Sequence, residues 1–152
     1  MDLPECRLSA SSIYDWNLSP AHSMLNTQTA WSPALANTNQ YIQVDLGELR
    51  QITAVATQGR NNNQWVTSYT ISHSSDGTTY IDVPTTFNAN TDRNTVAERD
   101  VVPTITARYV RLHPLTWNSW PSVRWEIYGC DYSASGMLHR SFTVIASSIT
   151  FC

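Results

Sequence analysis

The chain is 152 residues long, with 14% charged and 11% aromatic residues, a net charge of −3, and nine basic residues that are all arginine. These run singly from Arg7 to Arg140, so no basic cluster can neutralise a row of phosphates. That argues against a nucleic-acid partner and weakens any purely electrostatic hold on anionic lipid. A chain of this length is expected to form one domain that buries roughly two-thirds of its unfolded surface.

The N-terminus, Met1 to Glu5, is acidic and has no apolar stretch of the kind a signal peptide needs. The expectation is an excerpt of a longer secreted protein or a chain that has lost its start. Cys6 follows, the first of three cysteines. Cys6 and Cys130 frame the patterned region and are paired on that ground, with Cys152 left free or intermolecular; three buried, reduced thiols are the competing reading. A bridge closing so large a loop stabilises by about 4–5 kcal/mol in the chain-entropy model, and by less where the denatured state is compact.

After Ser12 comes a candidate loop, Ile13-Tyr14-Asp15-Trp16-Asn17-Leu18-Ser19-Pro20. Period-two alternation then predicts strands over 41–46, closed by Gly47, and over 52–57. A second loop, Gly59-Arg60-Asn61-Asn62-Asn63-Gln64-Trp65, precedes a strand over 68–74, which the turn signal Ser75-Asp76-Gly77 ends. Further strands are expected at 80–83, at 107–112 and at 123–128. In the second of these Ala107, Tyr109 and Arg111 are expected on one face, and in the last Val123, Trp125 and Ile127 form an apolar face. No dozen residues sustain a 3.6-residue period, and none approaches the ~20 apolar residues of a membrane span. Short strands punctuated by Pro33, Pro84, Pro103, Pro114 and Pro121 predict an all-β antiparallel sandwich or barrel. The domain is placed at residues 6–130, with a tail of unknown structure at 131–152.

Several pieces, in order, resemble the discoidin domain, also called the coagulation factor V/VIII type C domain. They are Ser9-Ala10-Ser11-Ser12, Ala30-Trp31 with Pro33, Gln43-Val44-Asp45-Leu46-Gly47, and Thr57-Gln58-Gly59-Arg60. Next come Trp65-Val66-Thr67-Ser68-Tyr69, Ser75-Asp76-Gly77 and the run from Phe87 to Asp92. Ala107 to Pro114 and Arg124-Trp125-Glu126-Ile127-Tyr128-Gly129-Cys130 complete the set. The resemblance implies a jelly-roll β-barrel of about eight antiparallel strands, bridged terminal cysteines, and ligand met by projecting loops at one end. It also implies binding of carbohydrate, phosphatidylserine-containing membrane, collagen or other proteins, in adhesion outside the cell. Cys6 is followed too soon by the Ser-Ala-Ser-Ser segment, so the first strand is expected short or missing.

Loop chemistry must choose among those ligands. In the first loop Tyr14 and Trp16 offer flat apolar faces for a sugar ring, and Asp15 and Asn17 offer hydrogen bonds to its hydroxyls. Trp16 and Leu18 inserted into a bilayer interface, or Trp16 folded back on the barrel, are the alternatives. In the second loop Asn61, Asn62 and Asn63 supply uncharged donors and acceptors, and Arg60 supplies a planar fork. The bland role for Arg60 is a salt bridge to Asp15 or Asp45 that braces the loop. A tip of three asparagines and the absence of lysine disfavour lipid. The expected ligand is therefore a glycan or glycoprotein, with a phospholipid surface or a collagen- or receptor-like protein as alternatives.

The oxygen-rich segment Asn88, Asn90, Asp92, Asn94 and Thr95 is a candidate for calcium, but with one carboxylate it reads better as a side-chain-capped turn, and no cofactor is expected. Asn17-Leu18-Ser19 is a glycosylation pattern weakened by Pro20. His22, His73, His113 and His139 lack metal-ligand spacing, and no nucleophile elbow, Cys-x-x-Cys or phosphate-binding glycine loop is present, so no enzyme is expected.

Overall fold

The computed structural model describes residues 8–132 and the backbone of 143–144. Eight antiparallel strands lie among them: β1 (Leu8–Ala10), β2 (Ile42–Gln58), β3 (Trp65–Ser74), β4 (Ile81–Asp82), β5 (Phe87–Asn88), β6 (Ala97–Asn118), β7 (Arg124–Asp131) and β8 (Thr143–Val144). The sheet order is β4-β3-β6-β2-β7-β8, with β1 on β2 and β5 on β3. The all-β antiparallel architecture expected from the sequence is the one observed.

Two strands are much longer than their patterns suggest. Segments 41–46 and 52–57 are parts of one strand, β2, which bends at Gly47 rather than ending there. Gly47 takes a φ of 80°, and its N–H donates to Asp45 Oδ1 at 2.8 Å. Only glycine reaches that backbone region without steric cost. Four residues of β2, 46–49, thus face a single step of β6, since Asp45 pairs with Tyr109 and Arg50 with Ala107. The same corner breaks the alternation in β6. Ala107 is buried together with Val110 and Leu112, whereas Tyr109 and Arg111 lie at the partly exposed outer surface; the face expected for Ala107, Tyr109 and Arg111 is therefore corrected.

β6 itself runs through Pro103 and Pro114. Each proline falls beside a jump in register, between Ile52 and Ala54 of β2 and between Ser68 and Tyr69 of β3, where a missing N–H costs the ladder least. The core gathers Trp31, Tyr69, Phe87, Val123, Trp125 and the branched residues of β2, β3, β6 and β7, Ile127 included.

Among the described residues β1 holds three, Leu8–Ala10. It pairs with residues 42–44 of β2, and β7 pairs with 50–58 of the same strand. Both run antiparallel to β2, so the start of β1 and the end of β7 head toward one another at the Asp45–Arg50 corner. Cys130, near that end, has a free thiol that donates to Gln51 Oε1 at 3.4 Å. Its expected partner Cys6 lies outside the described residues, as do Cys152 and most of the tail.

Candidate functional site

The end of the barrel opposite this corner carries the loops. The first is pinned from both sides. Gln40, buried, accepts from Ser11 Oγ and Ser12 Oγ at 2.8 and 2.6 Å, and Trp31 Nε1 donates to Ser12 O at 2.9 Å. Tyr14 N donates to Ser32 O, and Ser32 N donates back to Leu18 O. Between these ties Asp15 caps a 3₁₀ turn, Trp16–Leu18, by accepting from Asn17 N at 2.9 Å. Leu18 is buried beneath the turn, while Tyr14 is 61% and Trp16 81% exposed.

The second loop closes on itself. Arg60 N donates to Gln64 O, Gln64 N donates to Asn62 Oδ1, and Asn118 Nδ2 donates to Asn63 O. Gly59 at its root has no room for a side chain: a Cβ there would meet Arg93 Cα and Trp65 Cβ, each at 2.8 Å. A third contributor is the turn after β6. Ser119, at a φ of 62°, directs the chain so that Trp120 Nε1 donates to Pro33 O at 2.9 Å.

These segments enclose a cleft of about 210 Å³ lined by Tyr14, Asp15, Leu18, Ser32, Arg60, Gln64 and Trp120. The Tyr14 and Trp120 rings meet edge to face, with centroids 5.8 Å apart and planes at 83°. A polar chain lies alongside. Gln64 Oε1 accepts from Arg60 Nη1 and from Ser122 Oγ, each at 2.9 Å, and Ser122 Oγ is 2.6 Å from Ser32 Oγ. Because the Ser122 hydroxyl hydrogen goes to Gln64, the hydrogen between the two serines comes from Ser32, which leaves lone pairs on Ser32 Oγ as acceptors.

Arg60 is braced by an amide rather than a carboxylate: among the described residues no acidic group lies within ion-pair distance of it. Asp45, one of the expected partners, is instead held by Arg108 through Nε and Nη2 at 2.8 and 2.9 Å. The cleft therefore contains one guanidinium and one carboxylate, those of Arg60 and Asp15, which do not neutralise each other.

Of the residues singled out from sequence, Tyr14, Asp15 and Arg60 come together in this cleft. Trp16, Asn17, Asn61, Asn62 and Asn63 are outside its lining. Asn62 is spent inside its loop, and Asn17, Asn61 and Asn63 are at the surface. Ser32, Gln64 and Trp120 also line the cleft, and Leu18, expected with Trp16 as a bilayer contact, is instead buried at its base. Asn88 to Thr95 is a capped turn: Asp92 Oδ1 accepts from Asn94 N and Thr95 N, and its Oδ2 from Thr95 Oγ1. These bonds, the backbone one from Thr95 foremost, hold the Asp92 carboxyl below its usual range. No cluster of three potential metal-ligating side chains occurs among the described residues.

Behind the loops Arg124 is 3% exposed and bonds three carbonyls: Nε to Gly59 O at 2.6 Å, Nη1 to Thr27 O at 2.6 Å and Nη2 to Arg93 O at 2.8 Å. One buried cation thus joins three loops, and one of its ties is the residue before Arg60. Burial pulls its guanidinium below the usual range.

The family model for the F5/8 type C domain matches residues 7–127. The chain belongs to the F5/8 type C, or discoidin, family. It is 36% identical to human neuropilin-1 over 156 aligned positions, which span 93% of this chain and 17% of that protein. Discoidin II of Dictyostelium discoideum superposes with a TM-score of 0.78 at 30% identity, covering 84% of this chain and 55% of that one. The Clostridium perfringens module CpGH89CBM32-5, in complex with GalNAc-β-1,3-galactose, shares the fold, with a TM-score of 0.64 at 18% identity over 80% of this chain and 93% of its own. The chain thus spans a small part of the length of neuropilin-1 and about half of that of discoidin II.

Proposed function

We propose that this domain is a non-catalytic, extracellular carbohydrate-binding module that takes one sugar unit of a glycan or glycoprotein in the Tyr14–Arg60–Trp120 cleft. The observation that carries the reading is the composition of that cleft. It pairs an aromatic wall, Tyr14 against Trp120, with a guanidinium and a carboxylate that keep hydrogen-bonding capacity beyond their bonds to Gln64 and Asn17. A pyranose has the complementary make-up: an apolar C–H face that packs on π surface, and a rim of hydroxyls that give and accept hydrogen bonds. At about 210 Å³ the cleft is smaller than the ~300–1,000 Å³ of drug-sized pockets, which suits one ring. The saccharide held by CpGH89CBM32-5 makes N-acetylgalactosamine and GalNAc-β-1,3-galactose reasonable first probes.

A glycan array probed with the purified domain tests the reading. Binding that falls by about tenfold or more in Arg60→Ala, as expected on losing charge-assisted bonds of ~1.5–3 kcal/mol, supports it. An array without signal refutes it. A protein ligand is the second reading, favoured by the 36% identity to neuropilin-1. It predicts capture of a polypeptide that free sugars do not displace.

A further inference from the structure

We infer that the Trp16 indole forms a second sugar subsite just outside the cleft, so that the domain reads two or more linked units rather than one terminal residue. This rests on the carbohydrate reading above. Trp16 is 81% exposed yet does not line the cleft, although its neighbour Asp15 does. Its exposure is built in. The turn that carries it is capped by Asp15, closed by Leu18 N to Asp15 O, and anchored by buried Leu18 and the Ser32 ties.

A 3₁₀ turn rotates successive side chains by about 120°, so the geometry that sends Leu18 into the barrel sends Trp16 out of it. A large aromatic on a fixed backbone turn has only two side-chain torsions left to order when it stacks on a ligand. The occupant follows from continuity. A cleft sized for one ring leaves the next unit of a glycan at its rim, where Trp16 supplies an apolar platform and the exposed amide of Asn17 a hydrogen-bonding edge. A bilayer suits the surroundings less well, since the second loop presents exposed Asn61 and Asn63.

The test compares the best oligosaccharide on the array with its own terminal monosaccharide. GalNAc-β-1,3-galactose against N-acetylgalactosamine is the first pair, titrated calorimetrically into wild type, Trp16→Ala and Trp16→Phe. The exposed position keeps all three folded, which thermal melting checks. Wild type is expected to bind the longer ligand about tenfold more tightly. In Trp16→Ala the ratio of the two dissociation constants should fall to within about twofold, and Trp16→Phe should restore part of it. A wild-type ratio near one, or one that Trp16→Ala leaves unchanged, overturns the subsite while the cleft reading stands. Absence of any saccharide binding removes both. Trp16-dependent sedimentation with phosphatidylserine vesicles overturns the subsite in favour of a membrane contact.

Discussion

Replacing Arg124 with methionine tests whether a buried cation sets the loop end of this barrel. Methionine keeps an apolar stem of similar reach and removes the donors that meet Gly59 O, Thr27 O and Arg93 O. The Gly59 carbonyl is buried, and leaving it unpaired costs about 1–3 kcal/mol. The other two carbonyls are partly accessible and recover water, so they add about 0.5–1 kcal/mol each. Against this stands the relief of no longer holding a charge out of water, which the lowered guanidinium pKa reflects. The net expectation is a loss of about 2–4 kcal/mol, or a melting temperature lower by about 5–15 °C for a chain of this size. Scanning calorimetry measures it. Arg124→Lys, which keeps the charge but cannot reach three carbonyls at once, should fall between methionine and wild type. A methionine variant that melts with or above wild type would refute the reasoning, because desolvation of the guanidinium would then outweigh its bonds.

Tyr69 is fully buried, stacks on Phe87 at 5.2 Å, and has a hydroxyl with no hydrogen-bond partner among the described residues. Tyr69→Phe should therefore stabilise by about 1 kcal/mol in denaturant titration, and destabilisation would mean that the hydroxyl has a partner after all. Burial lowers the pKa of both His73 and His113 from 6.5, the latter helped by Arg111 and opposed by Asp82. The unfolded chain thus binds more protons than the folded one as pH drops through 6.5, so stability is greatest above that value and declines below it. Melts from pH 7.5 to 5.5 should show this slope, shallower in His113→Gln; an equal slope in that variant would remove His113 from the account. Cys130 is a free thiol in this structure, but the convergence of β1 and β7 on one edge of β2 leads us to propose that oxidation joins it to Cys6. Non-reducing peptide mapping of protein from an oxidising compartment should recover that pair, and alkylation of both thiols in native protein would dismiss it.

The fold was legible where alternation holds: Val123, Trp125 and Ile127 face the core as their spacing requires. What stayed hidden were continuities. Gly47 resembles an end, yet it is a corner, and Pro103 and Pro114 resemble breaks where β6 runs on through irregular register. The cleft was half legible. Tyr14, Asp15 and Arg60 sit in loops whose composition advertises them. Trp120, Gln64 and Ser32 reach the same space from three distant segments, and no local pattern records that meeting. Trp16 resembles a partner for Tyr14 two residues away, but the intervening turn separates their directions. Arg124 falls between the apolar positions Val123 and Trp125, where alternation alone would turn it to solvent; only three converging carbonyls from other loops reveal it as a buried tie.

The central claim is that ligand enters between Tyr14, Arg60 and Trp120. Titrating the strongest array saccharide into isotopically labelled domain and following the Trp120 indole N–H and the Arg60 side-chain resonances tests it most directly. The account predicts that these two shift first and saturate together, while the Tyr41–Arg111–Tyr80 stack on the outer face of the barrel stays still. Shifts centred on that outer face, with the Trp120 and Arg60 signals unmoved, would contradict it.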